Sequence, residues 1–269
     1  MPEPIHFYRI SINATFRCTL KCKLCCSYAP YFDPVPHYSY ETLTDYVQRF
    51  FTLVDTVSIF NIGGGEPLLN ACLPDFIASL KPYRDRIHKR LEVVTNGTIV
   101  PNDHLLSVMR KNRVFVLLDD YGPDRSRAVQ EVEDKLTAYG IDYNRRRNNS
   151  EKAYYDGWVD LSTFSETPKN AEDAVWLSKN CIQANELRCH PIVDGKIFVC
   201  PSYRRCLVLG RIADNPDEYF DLMDDTISIE EKKTRIVKFL KRDVFSSCAY
   251  CNGWLPDSKR YIPGEEQLP

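Results

Sequence analysis

Short apolar runs alternate with helix-like segments through the first half of the chain. Runs bounded by turn residues predict strands, and the longer periodic segments between them predict helices. The predicted strands are FYRISIN, VSIFNI, RLEVVTNG, RVFVLLDD and IDYNRR, with GWVDL as a candidate sixth, and helices are predicted near Tyr40 to Leu53, near Asp75 to Leu80, after Pro101 and near Ser126 to Tyr139. Such alternation favours right-handed crossovers and a parallel sheet. The predicted fold is α/β, a partial (β/α)6 TIM-like barrel.

The alternation stops near Asn148, and a different organisation follows. Asp194 and Gly195 lie between two apolar runs, which predicts a hairpin because a type I′ turn needs positive φ at both central positions. A charged segment near Ile229 to Leu240 predicts one more helix. We therefore predict two domains, a barrel core at 1–150 and a small C-terminal α+β domain at 151–269.

Composition narrows the class of protein. The 269 residues are 43% hydrophobic and 27% charged, enough for a substantial core. A formal net charge of -2 gives no electrostatic reason to expect a nucleic-acid partner. The N-terminal segment lacks a secretion signal, and no apolar run approaches the roughly 20 residues of a membrane span. We expect a cytoplasmic protein without nucleic-acid or membrane partners.

Eleven cysteines are unusual in such a chain, and clustered cysteines in a reducing compartment indicate metal ligands or redox groups. Cys18, Cys22 and Cys25 could hold three irons of a [4Fe-4S] cluster and leave the fourth iron open. The alternative is structural zinc, which needs a fourth ligand nearby. Cys26 directly follows Cys25, which makes joint ligation of one ion awkward.

The cysteine loop follows the first predicted strand, and the loop Gly63 to Pro67, sequence GGGEP, follows the second. This order resembles the radical S-adenosylmethionine (SAM) superfamily. The resemblance implies that the open iron binds the amino and carboxylate groups of SAM, and that the backbone of Gly64 and Gly65 contacts its methionine moiety. Glu66 could accept hydrogen bonds from the SAM ammonium. Taken alone, GGGEP favours a tight turn over a ligand-binding loop.

Two further loops lie at the carboxyl ends of predicted strands, where parallel α/β proteins place their sites. By the same resemblance, Thr95 and Asn96 would lie near the SAM ribose, although a simple Asn-Gly turn also explains them. Asp119 would face the same rim, with helix capping or a surface ion pair as the alternative. Leu24 departs from the aromatic residue common at that position in the family.

The C-terminal cysteines resemble a twitch domain, a short relative of the SPASM domain that carries one auxiliary [4Fe-4S] cluster. The implied ligands are Cys181, Cys200, Cys248 and Cys251. Cys189 is a rival for the first position because it lies opposite Cys200 in the predicted hairpin. A zinc ribbon is the alternative to a cluster. Three cysteines remain as small buried residues or hydrogen-atom donors: Cys26, Cys72 and Cys206.

The resemblance implies two [4Fe-4S] clusters, SAM, and a 5′-deoxyadenosyl radical that removes a hydrogen atom from the substrate. In size and cysteine order the chain is similar to the 2-deoxy-scyllo-inosamine dehydrogenases of aminoglycoside biosynthesis. We therefore expect dehydrogenation, or epimerisation, of a sugar, aminocyclitol or similar small polar substrate, with flavodoxin or ferredoxin as the reducing partner. Arg145 and Arg147 are candidate catalytic residues, with a solvated basic turn as the alternative.

Three other functions stay open at this point. A maturase would cross-link or oxidise a ribosomally made peptide, as many relatives do. An activase would place a glycyl radical on a partner enzyme. A non-catalytic scaffold would use the cysteines to bind iron-sulfur clusters or zinc and would bind no SAM.

Overall fold

The computed structural model describes residues 4–149, 153, 156–161 and 167–269. Its centre is one eight-stranded sheet with the strand order β5-β4-β3-β2-β1-β6-β7-β8. Six neighbouring strands, β5 to β6 in that order, are parallel, and β7 and β8 extend the sheet in antiparallel fashion. The strands are β1 His6–Thr15, β2 Thr56–Gly64, β3 Ile87–Thr95, β4 Val114–Asp120, β5 Tyr143–Arg147, β6 Cys189–Val193, β7 Lys196–Phe198 and β8 Tyr219–Asp221. The predicted α/β class with a partial TIM-like barrel is confirmed.

Seven α-helices connect and cover these strands in the described part of the chain. They are α1 Tyr40–Leu53, α2 Leu73–Ser79, α3 Asp103–Lys111, α4 Val129–Ala138, α5 Ala171–Asn180, α6 Pro201–Val208 and α7 Ile229–Leu240. None of the described helices is long and apolar enough to cross a membrane.

Local sequence explains where the helices begin and what they bury. The side chain of Ser39 caps α1 by accepting from the Thr42 amide, and Asn102 caps α3 by accepting from the Leu105 amide at 2.9 Å. On α1, Leu43 and Phe50 recur at helical spacing and are fully buried against the sheet. Apolar residues at this spacing fix which face of each helix packs on the strands.

The sixth parallel strand differs from the candidate proposed from sequence. Residues 157–161 form no strand, and Trp158 makes only an isolated bridge to Tyr261. Asp156 and Gly157 have φ of 58° and 117°, which turns the chain rather than extending it. The sixth position is taken by β6, which pairs with β1 on the side opposite β2.

The predicted hairpin is confirmed, since β6 and β7 are joined by Asp194 and Gly195 with φ of 52° and 73°. β6, β7 and β8 continue the sheet that the barrel strands begin. The boundary predicted between residues 150 and 151 lies outside the described residues, so the division into two domains stays a prediction.

Candidate functional site

A cavity of about 300 Å³ lies at the carboxyl ends of the parallel strands. One wall is the cluster loop, which we define as residues 16–28, and it includes Cys18, Cys22 and Cys25. The end of β2 contributes Gly63 and Gly64, and the loops after β2 and β3 contribute Gly65 and Asn96. Further lining residues come from β4, β5, β6 and α6. The strand topology therefore brings most of the residues proposed from sequence to one place.

Polar hydrogens point at two of the three sulfurs in the cluster loop. Cys18 Sγ accepts from the Leu20 amide at 3.4 Å and from Asn96 Nδ2 at 3.5 Å. Cys22 Sγ accepts from Gln267 Nε2 at 3.2 Å. Hydrogen bonds to ligating sulfurs stabilise their negative charge, so this environment fits cysteines that bind an iron-sulfur cluster.

Without a cluster these thiols hold their protons. Burial raises the pKa of Cys18 to about 11 and also raises the pKa of Cys25. Burial raises the pKa of Cys22 as well, with the hydrogen bond from Gln267 acting in the opposite direction. Because metals bind thiolates, cluster assembly at this loop must release protons.

The glycine-rich loop packs backbone to backbone against the cluster loop. The amide of Gly65 donates to the Thr15 carbonyl at 2.8 Å, and the amide of Glu66 donates to the Arg17 carbonyl at 2.9 Å. A Cβ at Gly64 would lie 2.0 Å from the Thr15 oxygen, and one at Gly65 would lie 2.4 Å from the Arg17 oxygen. Glycine is thus required for the two loops to approach each other.

Glu66 is fully buried and does not line the cavity. Its carboxylate accepts from the Thr95 hydroxyl at 3.0 Å, the Asn96 amide at 2.8 Å and the Leu68 amide at 3.1 Å. Burial raises the pKa of Glu66 to about 7, although these donors oppose the shift. In this structure Glu66 and Thr95 join the loops after β2 and β3, and the ligand roles proposed from sequence stay predictions.

Asn96, in contrast, faces the cavity and contacts the cluster loop. Besides Cys18, its Nδ2 donates to the Thr19 hydroxyl at 3.1 Å, while its Oδ1 accepts from the Thr98 amide at 3.1 Å. This bond pattern fixes which end of the side-chain amide points at the sulfur. Asn96 therefore couples the loop after β3 to the first predicted cluster ligand.

Asp119 lies on the cavity wall and is joined to Arg146, which lies between the two candidate arginines Arg145 and Arg147. Arg146 Nε and Nη2 donate to the two Asp119 oxygens, both at 2.6 Å, and Asn148 Nδ2 donates to Asp119 Oδ1 at 3.0 Å. All three residues line the cavity. A bidentate guanidinium-carboxylate pair is a strong and well oriented interaction.

The two arginines proposed from sequence lie elsewhere. Arg145 donates to Asp120 Oδ2 at 2.8 Å and to Glu133 Oε2 of α4 at 2.6 Å, and Arg147 is exposed. Neither is among the residues that line the cavity, whereas Arg146 is. Side chains alternate along a strand, so β5 presents Arg146 to the face opposite its two neighbours.

The four C-terminal cysteines proposed as ligands come together although they are far apart in sequence. Burial, followed by the proximity of Cys251, Cys248 and Cys181, raises the pKa of Cys200 well above its usual range. Cys181 Sγ accepts from the Trp254 amide at 3.4 Å, and Cys251 Sγ accepts from the Gly253 amide at 3.3 Å. Backbone amides directed at grouped sulfurs are typical of iron-sulfur ligation.

Cys189 has a different setting. It lies on β6 opposite Arg9 of β1, and it lines the cavity together with Cys26. Burial raises the pKa of Cys189 to about 12, and the charged neighbours that modify it are Arg9 and Glu92 rather than the C-terminal thiols. The structure thus brings Cys181, and not Cys189, to the other three C-terminal cysteines.

The thiol arrangement also bears on the zinc alternative. Within the described residues, no group of three or more His, Cys, Asp or Glu side chains is arranged to hold a metal ion. Structural zinc needs four ligands that converge on one point, whereas a [4Fe-4S] cluster keeps its cysteine sulfurs apart on separate irons. The choice between a cluster and zinc at the C-terminal cysteines therefore stays a prediction.

The interior of the barrel carries a polar network that the sequence reasoning missed. Arg9 Nη1 and Asn61 Nδ2 both donate to Glu92 Oε1, at 2.8 and 3.1 Å, and the Ser11 hydroxyl donates to Asn61 Oδ1 at 2.8 Å. The signal was present in β1, where Arg9, Ser11 and Asn13 occupy alternate positions between apolar residues. That alternation places all three on the cavity face.

The fold and the site define an α/β barrel-like protein with a three-cysteine loop beside a glycine-rich loop. The family model described as the Radical SAM superfamily matches residues 12–157, more than half of the chain. The protein therefore belongs to the radical SAM superfamily, and membership implies a [4Fe-4S] cluster and SAM as cofactors. The cluster loop and the cavity beside it have the donors and the glycine backbone to receive both.

Individual relatives are more distant. GTP 3′,8-cyclase 1 of Mycobacterium tuberculosis, from strains CDC 1551 / Oshkosh and H37Rv, is 30% identical over 142 residues, which are 48% of this chain and 37% of the relative. The match thus spans little more than a third of the curated relatives. Among solved structures, BtrN in complex with AdoMet and 2-DOIA has a TM-score of 0.58 at 13% identity, covering 99% of this chain and 100% of BtrN. Native anSMEcpe with bound AdoMet and Kp18Cys peptide has a TM-score of 0.54 at 15% identity, covering 97% and 94%. These structures share the fold.

Proposed function

We propose that the protein is a radical SAM oxidoreductase that dehydrogenates, or epimerises, a small polar substrate such as a sugar or aminocyclitol. When bound, the cofactors supply a 5′-deoxyadenosyl radical that takes a hydrogen atom from the substrate, and a sink for the remaining electron. The observation that carries the proposal is the cavity, where the cluster loop faces Arg146, Asn148 and Arg204. These polar side chains suit a hydroxylated or anionic substrate.

Arg146 and Asp119 are the residues we assign to substrate orientation. Both Asp119 oxygens accept hydrogen bonds from Arg146, which holds the carboxylate in a fixed plane. A substrate hydroxyl can donate to this carboxylate, which would then accept the hydroxyl proton as a carbonyl forms. Arg204 of α6 lies on the same cavity, with its guanidinium over the ring of Phe32 at 4.3 Å.

We further propose that Cys181, Cys200, Cys248 and Cys251 hold a second [4Fe-4S] cluster in a twitch-like domain. Their grouping and the amides directed at two of their sulfurs support this ligand set. A flavodoxin or ferredoxin would reduce the first cluster.

Epimerisation is the redox-neutral form of the same proposal. It requires a thiol that returns a hydrogen atom to the substrate, after which one electron from the reducing partner and one proton restore the thiol. Cys26 and Cys189 both line the cavity. Peptide modification is the second candidate function, favoured by the similarity in fold to anSMEcpe, whose structure contains a peptide. Added peptide and added aminocyclitol distinguish these substrates directly.

The test is anaerobic reconstitution with iron and sulfide, followed by dithionite, SAM and measurement of 5′-deoxyadenosine. Wild type should bind roughly eight irons, four for each cluster, and form deoxyadenosine. The Cys18/Cys22/Cys25→Ala triple variant should keep about four irons and form none. Stimulation of deoxyadenosine formation by a panel of sugars and aminocyclitols, with a carbonyl product, supports the dehydrogenase. Zinc in place of iron in the wild type, or no deoxyadenosine from it, would overturn the proposal.

A further inference from the structure

A segment far from the cluster loop in sequence lies directly on it. Residues 261–269, here called the strap, bridge Trp158 through Tyr261 and then run beside the cluster loop. The Lys23 amide donates to the Glu266 carbonyl at 2.9 Å, and the Leu268 amide donates to the Lys21 carbonyl at 2.8 Å. The strap therefore pairs with the chain on both sides of Cys22.

Gln267 is the residue of the strap that reaches a cluster sulfur. Its Oε1 accepts from the Lys21 amide at 2.7 Å, and its Nε2 donates to the Gly264 carbonyl at 2.8 Å and to Cys22 Sγ at 3.2 Å. An amide nitrogen can only donate, and a carbonyl oxygen can only accept. The backbone partners at Lys21 and Gly264 thus fix the orientation of the side-chain amide, with its N–H toward the sulfur.

We infer that the strap holds the cluster loop in its ligand-bearing conformation, and that Gln267 is a positioning residue whose hydrogen bond to Cys22 raises the reduction potential of the cluster. The direction of this change in reduction potential follows from electrostatics. A donor directed at a ligating sulfur stabilises the added negative charge of the reduced cluster, so electron uptake becomes easier. This inference rests on family membership and not on the proposed substrate.

Two substitutions of Gln267 distinguish the contribution of its N–H donor from that of its carbonyl acceptor. Gln267→Glu keeps an oxygen for the Lys21 amide but removes the N–H that faces Cys22. Gln267→Met has similar length and removes all three hydrogen bonds of the side chain, to Lys21, Gly264 and Cys22. Glu266→Gln is the matched control, because it keeps the backbone contacts of the strap and changes only an ion pair between two exposed side chains, Glu266 and Lys23.

The experiment is a redox titration of the reconstituted protein followed by electron paramagnetic resonance. The signal of the first cluster is assigned by its absence in the Cys18/Cys22/Cys25→Ala variant. Gln267→Glu and Gln267→Met should shift its midpoint potential to more negative values and lose iron to a chelator faster, while Glu266→Gln matches wild type. Midpoint potentials equal to wild type in both Gln267 variants would overturn the inference.

Amide hydrogen exchange of the iron-free protein provides a second measurement that needs no cluster. The Lys21 amide should exchange roughly fivefold faster in Gln267→Met, as expected for loss of one hydrogen bond, and near the wild-type rate in Gln267→Glu. Equal exchange at Lys21 in wild type and Gln267→Met would show that the strap does not hold the loop. Hydrogen exchange tests the contact between Gln267 and the Lys21 amide even in a variant that binds no iron. Since neither readout depends on turnover, failure of the proposed substrate leaves both measurements valid.

Discussion

Arg146 and Asp119 are register partners on neighbouring strands, and two hydrogen bonds of 2.6 Å join the guanidinium to both carboxylate oxygens. Their side chains are only 17% and 9% exposed, yet both line the cavity. A charge pair so enclosed is difficult to separate, because either partner would remain buried without its counter-ion. The pair is therefore a rigid part of the wall that faces the cluster loop.

Replacing Arg146 should affect both folding and substrate use. Arg146→Met leaves the buried Asp119 carboxylate without its cation, and we expect a loss of about 3 kcal/mol in the free energy of unfolding. Urea denaturation of the iron-free protein measures this loss. We also expect weaker stimulation of deoxyadenosine formation by substrate, because the carboxylate loses its fixed orientation.

Arg147→Met is the matched control, since Arg147 is the next residue on β5 and is exposed. Its effect on the free energy of unfolding should stay within about 0.5 kcal/mol. Equal losses in the two variants would contradict the assignment of Arg146, and not Arg147, to the cavity.

The proposed second cluster can be tested by asking whether Cys181 or Cys189 is one of its ligands. Cys181→Ser should lower the iron content after anaerobic reconstitution from roughly eight to roughly four per chain, because one of four ligands is lost. Cys189→Ser should keep the wild-type iron content, since Cys189 lies in the cavity away from the other three C-terminal cysteines. Iron and sulfide analysis gives the answer directly. The reverse pattern, with iron lost only in Cys189→Ser, would require a different ligand set.

Gly65 and Gly63, two positions of the same glycine-rich segment, should differ in their tolerance of alanine. A Cβ at Gly65 would lie 2.4 and 2.7 Å from the backbone oxygens of Arg17 and Phe16, which cannot move without displacing the cluster loop. We expect Gly65→Ala to cost about 1–3 kcal/mol in the free energy of unfolding and to impair iron binding. Thermal denaturation and iron analysis measure the two effects.

Gly63→Ala is the comparison. Its Cβ would meet only side chains, with Asn61 Oδ1 at 3.0 Å and Ser11 Oγ at 3.7 Å. Because these atoms can shift slightly, the variant should fold and bind iron close to wild-type levels. A variant Gly63→Ala as impaired as Gly65→Ala would show that the clash with the cluster loop is not the cause.

The helices and strands of the barrel could be predicted well because apolar spacing and capping residues within each segment determine them. The predicted bounds of the helix at Tyr40–Leu53 agree with the structure, as its apolar spacing and Ser39 cap require. The sixth strand was misplaced because β6 pairs with β1, which is far away in the chain. The residues near 189–193 carry no local signal for this pairing. Helices α5 and α6 were missed for a related reason, since they lie among the grouped cysteines and have few buried apolar positions.

In the candidate site, too, features contained in one loop could be predicted and contacts between distant segments could not. The three-cysteine and glycine-rich motifs could be located from spacing alone, because each is contained in one loop. Arg146 could have been distinguished from its two neighbours by applying strand alternation and pairing IDYNRR with the strand that contains Asp119. The contact of Gln267 with Cys22 could not, because it joins residues at opposite ends of the chain through an irregular segment.

Glu66 should make stability depend on pH. Burial raises its pKa in the folded protein to about 7 from an ordinary value of 4.5, so between these values the folded state binds more protons than the unfolded state. The free energy of unfolding then falls as pH rises through this window, by about 3 kcal/mol in total, and levels off above it. Urea denaturation of the iron-free protein at intervals from pH 5 to pH 8 measures this decline.

Glu66→Gln removes the titrating group while keeping an oxygen that can accept from the Leu68 amide or from Thr95. Any loss from the changed hydrogen bonds is constant across the pH range, because glutamine does not ionise. The free energy of unfolding of the wild type minus that of Glu66→Gln should therefore fall by about 3 kcal/mol as pH rises. Glu131→Gln, on the exposed side of α4, should keep the wild-type slope. A difference between wild type and Glu66→Gln that does not change with pH would mean that Glu66 stays ionised throughout, held by Thr95 and the two amides.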